Sequence, residues 1–156
     1  MRTLTDGVTA GLIGAFTVAG WFLMLDTDRG EPFATPALLG AVILHGVHNP
    51  PALHVTPHLV AEYSVIHFAA FVIFGLVAAW LIAAVEREPS LKGGVIALFV
   101  CFEFFFLALI GALSYTALET LVWWRIIMAN FLATAAMFGF FGVRHPVLSV
   151  RLRLQP

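Results

Sequence analysis

The stretch from Pro57 to Val85, PHLVAEYSVIHFAAFVIFGLVAAWLIAAV, decides the fold. Beyond Glu62 it carries no charged residue until Glu86-Arg87-Glu88-Pro89 closes it. Thr56 ahead of Pro57 has the form of a helix N-cap followed by a first-turn proline. A single helix over 57–85 is therefore predicted. It exceeds the roughly 20 residues that cross about 30 Å of hydrocarbon. A strand of this length would have to alternate polar and apolar residues, and this one does not.

Three further segments have the same character. Residues 7–25 are free of charge between Asp6 and Asp26, residues 91–115 hold Glu103 as their one interior charge, and residues 121–143 stop at Arg144-His145-Pro146. The first is too long for a signal-peptide core, Asp6 spoils a basic leader, and no small-residue cleavage site follows, so it reads as a retained helix. Composition agrees: 61% of the 156 residues are hydrophobic and 11% charged, against about 45–50% and about 25% in soluble domains. A soluble core of this size could not hide that much apolar surface. The expected fold is all-α, a single polytopic membrane domain of four transmembrane helices in a bundle, with the lipid bilayer as its first partner.

Lys and Arg counts near the helix ends orient the bundle. Arg2, Arg87, Lys92, Arg144, Arg151 and Arg153 fall on one side; Arg29 and Arg125 fall on the other. Both termini are therefore expected in the cytoplasm, consistent with a bacterial inner membrane. The loop 26–56 and the turn near Glu119 then lie outside. Within that loop Thr35-Pro36 opens an apolar run, Ala37 to Val47, too short to span. A short re-entrant or interfacial helix is predicted there, closed by Asn49-Pro50-Pro51. The tail 144–156 is basic and suits anionic inner-leaflet lipid.

Gly7, Gly11, Ala15 and Ala19 recur every four residues and predict close helix contact, as do Ala129 and Ala133. Such stripes also leave room for a homo-oligomer or a larger membrane complex. Trp21, Trp123 and Trp124 fall where an outer aromatic belt is expected. No basic face is large enough for nucleic acid, so none is expected as a partner; the formal net charge of −1 does not bear on it. The single cysteine, Cys101, excludes an intrachain disulfide and a thiolate metal cage.

The chemistry gathers in two places. Counting from the outer ends at 1.5 Å per residue puts His67, Glu103 and Asn130 all about 15 Å deep, on three different helices. Tyr63 shares the face of His67 by i, i+4 spacing. Ionisable groups at membrane depth are costly and mark function by default. One reading of this buried layer is proton or cation handling; the other is a hydrogen-bonded clasp that fixes helix register.

The second place is the outer loop, where His45, His48, His54 and His58 crowd together and Glu62 follows His58 by i, i+4. Imidazoles with a carboxylate suit Zn²⁺ or Cu²⁺. Haem on His67 is the less favoured cofactor, because the paired histidines of a bis-histidine haem are absent from the spans. At 100° per residue, His58/Glu62 and Tyr63/His67 lie on faces roughly 120–140° apart, which makes two separate sites. No nucleophile elbow, phosphate loop or di-iron Glu-x-x-His motif is present. The expected function is thus a small transporter-like protein or complex subunit built on the buried layer; the alternative is a metal- or haem-binding subunit of a membrane enzyme or redox complex.

Overall fold

A computed structural model describes residues 2–47, 54–113 and 123–145. Those residues form five α-helices: α1 (Arg2–Asp28), α2 (Ala34–His45), α3 (Pro57–Arg87), α4 (Lys92–Leu113) and α5 (Trp123–Arg144), with a 3₁₀ turn, Pro89–Leu91, before α4. There is no strand among the described residues. Three helices, Thr3–Asp28, Pro57–Arg87 and Trp123–Arg144, are long and apolar enough to cross a membrane. Large apolar side chains crowd their outer surfaces: Phe16, Val65, Ile73, Trp80 and Phe131 are each more than 60% exposed. A patch of that extent has no place on a water-soluble monomer. Helix length, composition and surface are those of a helical membrane protein.

Local signals explain the helix ends. Thr56 is the N-cap of α3, with extended backbone, and its Oγ1 accepts from Leu59 N–H at 3.4 Å while Pro57 opens the first turn. α2 starts three residues earlier than the apolar run suggests, with Pro36 inside its first turn, where a proline's missing N–H does no harm. It also ends earlier. Gly46 takes a left-handed conformation at φ 64° and Val47 N–H bonds back to Ala41 C=O, the cheap stop that glycine permits. The expected stop at Asn49-Pro50-Pro51 lies outside the described residues, as do the tail 146–156 and the turn at Glu119.

α1 packs most extensively on α3, α5 lies against α1, and α4 rests on α3 and α5. The α1–α3 seam is nearly backbone on backbone. A Cβ on Gly75 would strike the carbonyl of Gly7 and the backbone of Gly11, and one on Gly11 would strike the carbonyl of Phe71. Part of the small-residue stripe is thus the contact itself: Gly7, Gly11 and Ala15 are buried, whereas Ala19 is exposed.

The core divides along the bundle. Toward the α2 end, Val18, Phe22, Leu38, Val42, Phe71 and Ile126 interlock. Toward the end bearing the start of α1 and the end of α5, Phe74, Ile82, Phe99, Met137 and Phe141 do so. α2 covers the first cluster, and at 12 residues it is about 18 Å long, well short of a crossing.

Candidate functional site

α2 and α3 meet where the backbone allows close approach: a Cβ on Gly40 would lie 2.7 Å from Leu59 C=O. That contact brings the last turn of α2 over the first turns of α3. His45 Nε2 consequently lies 3.0 Å from Glu62 Oε2, and His58 Nδ1 lies 3.3 Å from the same oxygen. One ligand atom from each of the three falls within 4.8 Å of the others. Tetrahedral zinc with bonds of about 2.0–2.2 Å spaces its ligand atoms by roughly 3.3–3.6 Å. His58 and His45 are open to the surface, with side chains 75% and 47% exposed, so a fourth position is reachable by water or cargo.

The other expected ligands divide. His54 is exposed in the segment preceding α3 and is not part of the group. His48 lies outside the described residues. Asp26, a carboxylate on the same side, is otherwise engaged. Its Oδ2 accepts from Thr35 N–H and its Oδ1 from the Thr35 hydroxyl, both at 2.8 Å, and it is 1% exposed. Asp26 ties the end of α1 to the start of α2, where the partial positive charge of a helix N-terminus favours a carboxylate.

Hydrogen bonding splits the buried layer. His67 is 8% exposed, and its Nε2 donates to Ala15 C=O of α1 at 3.1 Å. A carbonyl only accepts, so Nε2 carries the proton and, in the neutral ring, Nδ1 keeps a lone pair. Tyr63, Phe68 and Phe71 surround the imidazole, with ring centroids 4.9–5.6 Å away.

Glu103 and Asn130 form the other part, between α4 and α5. The amide acts on the half-buried carboxyl at close range. Yet Glu103 Oε1 and Asn130 Nδ2 are both buried without a hydrogen-bond partner. No hydrogen bond links either residue to His67 among the described residues.

One charged cluster carried no warning in the sequence. Where α1 begins and α5 ends, Arg144 Nε and Nη2 donate to Asp6 Oδ1 at 3.1 and 3.0 Å. His145 sits 3.6 Å from Asp6 Oδ2 and 2.8 Å from Glu86 Oε1. The network fastens α1, α3 and α5 together. Its signal was topological: helices that return to the same side bring Asp6, Glu86 and Arg144 to one level.

Comparison with family models, with curated proteins and with solved structures finds no match to this chain.

Proposed function

We propose that this chain is a four-span integral membrane protein that holds a divalent transition metal, zinc or copper, at its outer face on His45, His58 and Glu62. The convergence of three ligand atoms from two helices carries the reading. Sequence spacing supplied only the His58–Glu62 half; the third ligand arrives through helix docking. α4, with 22 residues from Lys92 to Leu113, is the fourth span. Both termini are cytoplasmic by the distribution of Lys and Arg, in a bacterial inner membrane. Three ligands with an accessible fourth position suit capture and hand-over better than permanent structural closure.

A second role is supported by Glu103 and Asn130. A buried carboxyl oxygen without a partner is expensive, and a proton or small cation held on Glu103 Oε1 would satisfy it. The membrane domain would then pass or hold a cation beneath the metal site.

The test is metal analysis of purified protein stripped with chelator and reloaded with Zn²⁺. One equivalent bound by wild type and lost in the His45→Ala, His58→Ala double variant supports the outer site. Equal metal in both preparations removes it.

A further inference from the structure

Between α1 and α3, beneath the start of α2, lies a cavity of about 350 Å³. That volume is at the lower end of the roughly 300–1,000 Å³ typical of small-molecule sites. Its walls are aromatic, with Phe16, Phe22, Phe33 and Phe68 contributing. Phe16 and Phe33 are 64% and 46% exposed, so the chamber opens sideways on the apolar flank of the bundle. A molecule dissolved in the hydrocarbon reaches it without crossing water.

Four polar residues also line it: Thr35, Tyr63, Ser64 and His67. Three of them have already committed a hydrogen. Thr35 Oγ1 donates to Asp26 at 2.8 Å, Ser64 Oγ to Val60 C=O at 2.7 Å, and His67 Nε2 to Ala15 C=O at 3.1 Å. What each has left is lone pairs. Tyr63 is 9% exposed, and its hydroxyl joins no hydrogen bond among the described residues. Apart from the Tyr63 hydroxyl, which can also donate, the polar edge therefore presents acceptors. It calls for a guest that donates a hydrogen bond. At this depth a charged donor would pay heavily for desolvation, which favours a neutral hydroxyl over an ammonium group.

We infer that this cavity binds a lipid-soluble phenol, its ring among the phenylalanines and its hydroxyl donating to the edge formed by His67 and Ser64. The site is independent of the metal reading. At 100° per residue, Val60, Tyr63, Ser64 and His67 lie on the flank of α3 opposite His58 and Glu62.

The experiment uses the full chain in lipid nanodiscs, with 1-naphthol as the probe and 1-methoxynaphthalene as its matched ether. Saturable binding of naphthol, about five- to tenfold tighter than the ether, is expected from one added hydrogen bond to a buried acceptor. Ser64→Ala and Tyr63→Phe should narrow that gap. Because His67 also bridges to α1, its replacement could unfold the protein, so the deciding variant is Ala19→Trp. Ala19 lines the chamber but is exposed; a large ring there fills the site and leaves the acceptors untouched. Loss of naphthol binding with an unchanged melting temperature supports the site. Equal uptake of both probes into loaded and empty discs overturns it, as does undiminished binding in Ala19→Trp. If both probes saturate equally and Ala19→Trp blocks both, the chamber is real but the phenol assignment is wrong.

Discussion

The α1–α3 seam and the α4–α5 side of the bundle solve the same problem in opposite ways. Along α1 and α3, glycines let backbones touch and the imidazole of His67 finds a carbonyl across the seam. At one end of α1 the Asp26 carboxylate is fully engaged by Thr35, and at the other Asp6 is held by Arg144. Between α4 and α5, Glu103 Oε1 and Asn130 Nδ2 are buried without a formed hydrogen bond, although the amide lies close enough to act on the carboxyl. The first seam has the marks of a structural frame. The second carries an unmet polar demand that stability alone would not retain.

The largest effect should come from forcing the frame apart. Gly11→Leu or Gly75→Leu drives a side chain into the facing backbone, which cannot yield as a flexible side chain would. Overpacking of this kind costs about 3 kcal/mol or more. Gly139→Ala, where an added Cβ meets open space, should be neutral or slightly stabilising. Denaturation in mixed detergent measures both. A Gly75 variant as stable as the Gly139 variant would mean the two helices do not pack through their glycines.

Next is the tie between α1 and α2. Asp26→Ala removes two charge-assisted hydrogen bonds from a site 1% exposed. The Thr35 amide and hydroxyl are left unpaired, for an expected loss of about 2–4 kcal/mol. Because Thr35 begins the helix that delivers His45, the same variant should weaken metal binding without touching a ligand. An Asp26→Ala protein with full stability and full zinc affinity breaks the link between frame and site.

These two sites differ in how far residue order alone reveals them. Gly7, Gly11 and Ala15 were legible because a stripe of small residues at helical spacing is a local pattern. The Thr56–Pro57 start of α3 was legible for the same reason. His58 with Glu62 needed only one helix. His45 was named with them, but only as one of four loop histidines, because its approach depends on how α2 docks on α3 across a proline-rich connection. Asp26 looked like one more outer carboxylate, since its partner lies beyond a turn in which Phe33 adopts φ 68°. His67 drew attention as a buried titratable group, but its partner is a backbone carbonyl, and carbonyls leave no mark in a sequence. Depth counting placed His67, Glu103 and Asn130 on one level; it could not tell which of them would bond.

On the α4–α5 side the expected sign reverses. Replacing Glu103 and Asn130 together by leucine removes two unsatisfied buried atoms and adds apolar contact. A gain of about 1–2 kcal/mol is expected, against a loss for any comparable change in the α1–α3 seam. Cation or proton flux in proteoliposomes should vanish in the same protein and in Glu103→Gln. Should the double leucine variant be destabilised by as much as Asp26→Ala, the pair is a structural clasp and the contrast between the seams disappears.

The smallest effect on stability is expected at the His45/His58/Glu62 triad, where function should be most sensitive. Exposed ion pairs contribute only about 0–1 kcal/mol, so His58→Ala ought to leave the metal-free melting temperature within about 2 °C of wild type. Its zinc affinity, however, should fall at least tenfold, because one of three ligands is gone. Binding adds stability only to the folded state in proportion to affinity. Saturating Zn²⁺ should therefore raise the melting point of wild type and leave His58→Ala nearly unmoved. Acidification should abolish the zinc-induced shift in wild type, since protonated imidazoles cannot ligate. If instead His58→Ala lowers the metal-free melting point and zinc shifts both proteins alike, the triad is a brace that holds α2 on α3. The frame would then extend to the α2–α3 surface, and Glu103 with Asn130 would remain a polar pair outside it.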